Sequence, residues 1–225
     1  MIFLYLRKME ISYLGHSSFK IKGKKAVVVT DPYSKESTGI KFPKVEADII
    51  TISHNHADHN QKDSVLGSPF IVDGPGEYEI EDVSIFGISS FHDKKKGFER
   101  GKNTIYLIEM DGIRVCHLGD LGHQLYDRQI EELDGVDVLL IPVGGVYTIG
   151  PKEAGEVISQ IEPKIVIPMH YNFPDLSQEI FGKMSTLEDF LREVGEKGEV
   201  LPKLSITRDS LPGETKIVIL ERKNG

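Results

Sequence analysis

The stretch Ser53-His54-Asn55-His56-Ala57-Asp58-His59-Asn60 decides how this chain is read. Three imidazoles and one carboxylate fall between His54 and His59. Just upstream, Asp48-Ile49-Ile50-Thr51-Ile52 is apolar and β-branched, the composition of a buried strand. The cluster therefore begins where a strand ends, at a sheet edge where side chains can converge. His54 and His56 are two apart and point the same way in extended backbone. Asp58 and His59 follow where the chain must turn, so they approach from another side. Imidazole and carboxylate are the ligands that borderline divalent ions such as zinc accept. The alternative is a polar loop that happens to be rich in histidine. Clustering of His and carboxylate at this spacing favours a metal or catalytic site.

Outward from this stretch the apolar runs are short. Upstream, Glu10 to Leu14, Ser18 to Lys22 and Ala26 to Thr30 read as strands, the last ending at Asp31-Pro32. Ser34 to Lys44 is polar with Gly and Pro and reads as a loop. Downstream come strand-like Phe70 to Val72, Glu77 to Ile80 and Val83 to Ile88, then a charged loop over Lys94 to Lys102. Thr104 to Met110 and Ile113 to Leu118 form a hairpin across Asp111-Gly112, a strong two-residue turn signal. From there strands and helices alternate. Leu125 to Leu133 is a short amphipathic helix and Val136 to Pro142 a buried strand. Gly150-Pro151 opens a helix with the apolar stripe Ala154, Val157, Ile158 and Ile161. Lys164 to Pro168 is a strand. Thr186 to Glu193 is a helix with Thr186 as N-cap and Asp189 three residues on. Thr215 to Leu220 closes the chain as a strand. One domain over residues 1–225, with packed sheets and helices outside, satisfies the pattern.

The 225 residues can bury a sizeable core, and 39% hydrophobic with 28% charged residues is ordinary for a globular protein. A net charge of −8 argues against a nucleic-acid partner, since phosphate binding depends on Lys and Arg. The single cysteine, Cys116, excludes an intrachain disulfide framework and fits a reducing cytoplasm. It alternates with His117 on its strand and reads as a buried small hydrophobe. Met1 to Lys8 is apolar but too short to span a bilayer, and no membrane association is expected. It reads as an irregular end or an extra edge strand.

The order His-x-His-x-Asp-His resembles the signature of the metallo-β-lactamase superfamily, and the likeness runs from about Asp31 to His170. It implies the four-layer αββα sandwich of two mixed β-sheets, within the α/β class. By that resemblance His54, His56 and His92 hold a first ion. Asp58, His59 and His170 hold a second, Asp120 bridges the two, and Asp31 supports the site from behind. Two zinc ions are expected, with manganese or iron as substitutes. His117 is the rival third ligand of the first ion; His92 is preferred because it belongs to a strand-end loop. His16, His123 and Tyr171 are expected to bind substrate. The motifs Gly15-His16-Ser17-Ser18 and Gly119-Asp120-Leu121-Gly122 bring the chain nearest to compact, lactonase-like hydrolases of the superfamily.

Two ions about 3.5–4 Å apart hold a water and lower its pKa towards neutrality. Asp58 is the carboxylate placed to orient the resulting hydroxide and take its proton. The expected activity is hydrolysis of an ester, lactone or phosphoester of a small molecule. Lys94, Lys95, Lys96, Arg100 and Lys102 follow His92 and offer charge to an anionic substrate. Phosphodiester cleavage, including nuclease action, a non-catalytic metal-binding module and iron redox chemistry are the alternatives.

Overall fold

The computed structural model describes residues 8–223. The proposed end or edge strand over Met1 to Lys8 falls outside that range except for Lys8. Fourteen strands divide into two sheets among the described residues. The first sheet has β1 (Met9–Gly15), β2 (Ser18–Lys22), β3 (Val27–Thr30), β4 (Ile49–Thr51) and β5 (Phe70–Val72). The second has β6 (Gly76–Ile80), β7 (Val83–Phe91), β8 (Lys102–Met110), β9 (Ile113–His117), β10 (Val138–Pro142) and β11 (Ile165–Met169). It also holds β12 (Glu199–Leu201) and β14 (Lys216–Leu220), while β13 (Leu204–Ile206) crosses back to pair with β1. The orders are β13-β1-β2-β3-β4-β5 and β12-β14-β11-β10-β9-β8-β7-β6.

Strand alternation sorts the side chains into layers. Ile11, Val28 and Ile49 of the first sheet meet Ile85, Val115 and Leu140 of the second in one inter-sheet core. The alternate residues of the second sheet, among them Leu107, Cys116, Leu139 and Val166, face helices. These are α2 (Asp127–Glu132), α3 (Pro151–Ile161) and α5 (Leu187–Val194). Leu14, Val29 and Ile50 of the first sheet face Tyr33, Ile40, Leu176 and Phe181 on the other side. Two short helices, α1 (Lys35–Thr38) and α4 (Gln178–Phe181), cover that side. The expected αββα sandwich of two mixed sheets is therefore the observed architecture, and Cys116 is fully buried in its helix-facing core.

The Asp111-Gly112 turn places both residues at positive φ, 56° and 76°, as a two-residue hairpin between β8 and β9 requires. Helix α5 has only eight residues, too few to persist alone. Thr186 accepts from the Asp189 backbone N–H at 3.3 Å. Fully buried Phe190 adds about 1.5–3 kcal/mol, so packing outweighs propensity. The loop expected over Ser34 to Lys44 contains α1. Ser34 accepts from the Ser37 N–H at 3.1 Å, and Gly39 at φ 83° ends the turn. Helix α4 and strands β12 and β13 had no sequence counterpart. Each strand is three residues long, too short to show a period.

Direction decides where the site sits. Strands β3 and β4 are parallel, and β1 runs the same way because both pair antiparallel to β2. In the second sheet β9, β10 and β11 are parallel, and β7 shares their direction because both β7 and β9 are antiparallel to β8. The loops after β1, β3, β4, β7, β9 and β11 bring the histidines and aspartates of the sequence motifs together at one rim. Carboxyl ends of parallel strands are where open α/β sheets form ligand crevices.

Candidate metal centre

Two groups of ligand-type atoms lie side by side at this rim. His54, His56 and His92 form one, and Asp58, His59, His170 and His16 the other, each with its donor atoms within 4.8 Å of one another. Asp120 stands between them. Its Oδ2 is 3.2 Å from His92 Nε2, 3.2 Å from His170 Nε2, 3.3 Å from His59 Nε2 and 3.9 Å from His54 Nε2. Ligands of one tetrahedral zinc, each about 2.0–2.2 Å from it, lie roughly 3.3–3.5 Å apart. The donor set is all imidazole and carboxylate, which suits zinc and related ions. His59 Nε2 and Asp120 Oδ1 are buried with no hydrogen-bond partner, as atoms reserved for a cation are. The residues present therefore fit a metal centre.

The ring tautomers are set from behind. Asp31, fully buried after β3, accepts from the Ser53 backbone N–H at 2.8 Å and from the Ser53 hydroxyl at 2.5 Å. It also accepts from His59 Nδ1 at 2.8 Å. That bond keeps a proton on His59 Nδ1 and turns Nε2, the atom that would bind a metal, towards Asp120. Since the Ser53 hydroxyl donates to Asp31, its oxygen accepts from His54 Nδ1 at 3.0 Å. His54 Nε2 is then the free atom, 2.9 Å from His56 Nδ1. One carboxylate thus orients a ring in each group.

Backbone geometry brings the loops into register. His16, Asp31 and His170 take positive φ values of 55°, 38° and 51°, uncommon for residues with a Cβ. The His170 N–H donates to the His16 carbonyl at 3.0 Å, tying one sheet to the other. Gly119, before Asp120, has φ 55°, and a Cβ there would meet Asn103 Oδ1 at 2.4 Å and Ser53 Cβ at 2.5 Å. Asn103 Oδ1 accepts from the Asp120 N–H at 3.0 Å, and its amide donates to Leu118 O at 2.9 Å. The glycine thus permits the close approach that the asparagine holds.

Electrostatics follow from crowding. Burial lowers His54 to about 3, with His59 adding to the effect. Burial and neighbouring His170 lower His16 to about 4. Burial alone would raise Asp120, but His170 and His59 outweigh it and hold the carboxyl well below the carboxylate range. Burial opposes charge on His59 too, yet Asp120 and Asp58 outweigh it and raise the imidazole well above its ordinary value. The carboxylates around His59 thus favour positive charge, either a proton or a metal cation.

The structure separates the expected residues. His92 joins His54 and His56, whereas His117 does not join either group. His117 sits within β9 and donates from Nε2 to Ser17 O at 2.8 Å. None of the three residues expected to bind substrate, His16, His123 and Tyr171, is among the side chains that line the cleft over the cluster. His16 is fully buried and bonds Asp58 Oδ2 at 3.1 Å, so it holds a carboxylate instead of meeting solvent. His123 accepts at Nε2 from the Phe91 N–H at 3.2 Å and donates at Nδ1 to Gln124 O at 2.6 Å. Both its nitrogens are thus committed, Nε2 to the end of β7 just before His92 and Nδ1 to its own loop. Tyr171 is buried in the helix-facing core.

A cleft of about 300 Å³ opens over the cluster, lined by His56, Asp58, His92, Asp120 and His170 together with Arg100 and Tyr147. Ser53, Asn103 and Tyr147 had no assigned role from sequence. Only the Gly-Asp turn beside Asn103 hinted at a constrained backbone.

Two stacked mixed sheets with a His/Asp cluster at one rim define the class: a metal-site αββα sandwich. The chain belongs to the beta-lactamase superfamily, whose domain model matches residues 10–170. A UPF0173 metal-dependent hydrolase from Thermococcus onnurineus is 30% identical over 222 residues, covering 86% of this chain and 95% of the relative. The crystal structure of a candidate Zn-dependent hydrolase of the metallo-β-lactamase superfamily from Thermotoga maritima has a TM-score of 0.79 and 38% identity. The match covers 96% of this chain and all of that one, 100%. A metallo hydrolase from Ignicoccus hospitalis, at 21% identity and TM-score 0.64, shares the fold over 95% of both chains.

Proposed function

We propose that this metal-dependent hydrolase of the metallo-β-lactamase superfamily works with two divalent ions, zinc by the chemistry of its donors. His54, His56 and His92 would hold one ion, Asp58, His59 and His170 the other, with Asp120 shared. The observation that carries this reading is Asp120 Oδ2, 3.2–3.3 Å from three imidazole nitrogens drawn from both groups. When bound, the ions supply a water acidified towards neutral pH and positive charge for the oxygen that becomes anionic in the transition state.

The chain's own residues do the rest. Asp58, partly exposed on the cleft, points one carboxylate oxygen at His16 and His59 and is the group to orient the attacking water and receive its proton. Fully buried His16 fixes that carboxylate. Asp31 and Ser53 keep the lone pairs of His59 and His54 directed inward. The substrate class is an ester, lactone or phosphoester of a small molecule, in keeping with a 300 Å³ cleft at the lower end of small-molecule sites. A single, fully buried cysteine supports work in a reducing cytoplasm. Among the described residues no helix is long and apolar enough to cross a membrane.

Elemental analysis after zinc reconstitution is expected to find two ions per chain. The loaded protein is expected to turn over at least one of a lactone, a thioester and bis-p-nitrophenyl phosphate, and Asp120→Asn to lose both metal and turnover. Protein that retains no transition metal after reconstitution would refute the proposal.

A further inference from the structure

We propose that Arg100 is an anion subsite, so that the substrate carries a carboxylate or phosphate besides the bond that is cleaved. This rests on the hydrolase reading above and names the substrate class of the same cleft. Arg100 lines that cleft together with Asp58, His92, Asp120 and His170. It follows β7 in a loop folded over the rim, and that loop is built to hold it. Asp93 accepts backbone N–H groups from Lys95 at 2.7 Å, Gly97 at 3.0 Å, Glu99 at 3.1 Å and Arg100 itself at 2.8 Å.

The side chain is held as firmly. The Arg100 guanidinium lies 4.9 Å from the Tyr147 ring centroid, and the Tyr147 hydroxyl donates to Ile180 O at 2.8 Å. The aromatic platform is thus tethered to Ile180, which also lines the cleft. One guanidinium N–H reaches Val146 O at 3.4 Å, leaving the remaining donors of the fork for a ligand.

Charge pairing and position together single out this cation. Lys94 pairs with Glu153 at 2.9 Å and Lys95 with Glu99 at 2.6 Å. Lys96, Arg100 and Lys102 have no carboxylate partner among the described residues, and of the three Arg100 is the one that lines the cleft. A planar, permanently charged fork without a protein counter-ion, placed at the mouth of a cleft in a chain of net charge −8, is a site for carboxylate or phosphate oxygens. Asp58 and Asp120, the carboxylates that share the cleft, are paired with the imidazoles of the cluster instead.

The test is calorimetric titration of the zinc-loaded protein with benzoate, phenylphosphonate and neutral benzyl alcohol. Arg100→Gln is expected to weaken at least one anion about tenfold or more and to leave benzyl alcohol unchanged. The anion that suffers identifies carboxylate or phosphate as the natural group. Arg100→Lys is expected to recover part of the loss, since it restores charge without the fork. The proposal is overturned by equal anion affinity in wild type and Arg100→Gln, by parallel weakening of benzyl alcohol, or by no anion binding in the wild type. Zinc content and melting temperature confirm that the variant is folded and loaded. If the loaded wild type turns over no ester, lactone or phosphoester, the hydrolase reading fails while the titration still decides the subsite.

Discussion

Replacing Asp31 by Asn is expected to remove one ion of the proposed pair and spare the other. The change keeps shape and burial but turns one acceptor oxygen into a donor. At the native position Oδ1 accepts from the Ser53 N–H at 2.8 Å, so the amide oxygen must stay there. The amide nitrogen then faces His59 Nδ1, where the native Oδ2 sits at 2.8 Å. Two N–H groups cannot face each other, so His59 must accept at Nδ1 and move its proton to Nε2. That atom lies 3.3 Å from Asp120 Oδ2 and 3.5 Å from Asp58 Oδ2, where the second ion's lone pair is needed. His54 is spared, because the Ser53 hydroxyl oxygen can accept from both the new amide and His54 Nδ1. Loss of such an outer partner costs about 10–100-fold in metal affinity, or about 1.4–2.7 kcal/mol. Competitive zinc titration against a chromogenic chelator should show two tight sites in the wild type. The variant should show one tight site and one weakened by that factor. Unchanged affinity at both sites, or equal weakening of both, would refute the tautomer argument.

Gly119→Ala adds a Cβ at φ 55° against Asn103 and Ser53 and is expected to cost about 1–3 kcal/mol, read as a lower urea midpoint; an unchanged midpoint contradicts the close-approach account. His16→Gln loosens Asp58 without removing a proposed ligand, so kcat is expected to fall about tenfold or more at full zinc content; loss of metal instead would make His16 a ligand. Zinc uptake should displace the proton that raised His59 retains, so affinity rises with pH through the folded His59 pKa. Calorimetry in buffers of different ionisation enthalpy should show that proton release, and its absence at pH 6 would count against it. In the metal-free protein His54 and His16 are depressed to about 3 and 4 and stay neutral while the unfolded chain protonates near 6.5. Their contribution to stability is present above that pH and lost as pH falls towards about 4 for His16 and about 3 for His54, which acid titration of the urea midpoint measures.

What was legible in the sequence was whatever depends on neighbours along the chain. The run from His54 to His59 announces a strand end, and the Asp111-Gly112 turn announces its hairpin. His92 was separable from His117 because His92 lies just beyond its strand, whereas His117 is still paired on both sides as the last residue of β9. His117 shares a strand face with Val115, towards the inter-sheet core, and its ring bonds Ser17 of the other sheet. What was hidden depends on distant partners. A glycine beside His16 suggested an open loop, yet its left-handed backbone turns the ring inward under Asp58. Nothing near His123 reveals that Phe91, thirty-two residues away, occupies its Nε2. Lys94, Lys95 and Arg100 look alike in a basic run. Glu99 neutralises Lys95 from four residues away, but the partner of Lys94 is Glu153, fifty-nine residues along the chain. Strand β13 pairs with β1 across nearly the whole chain, and three residues carry no periodic signature of that.

Each proposed ligand trio draws on both halves of the molecule, His54 and His56 against His92, and Asp58 and His59 against His170. A captured ion is therefore a rivet across the open end of the sandwich. Neither half of the polypeptide can trap one alone, so uptake comes late, after the halves have closed on each other. Chelation should accordingly fray the riveted end first, as faster amide exchange around His54, His92 and His170, while exchange at Ile85 and Val115 in the middle of the sandwich stays slow.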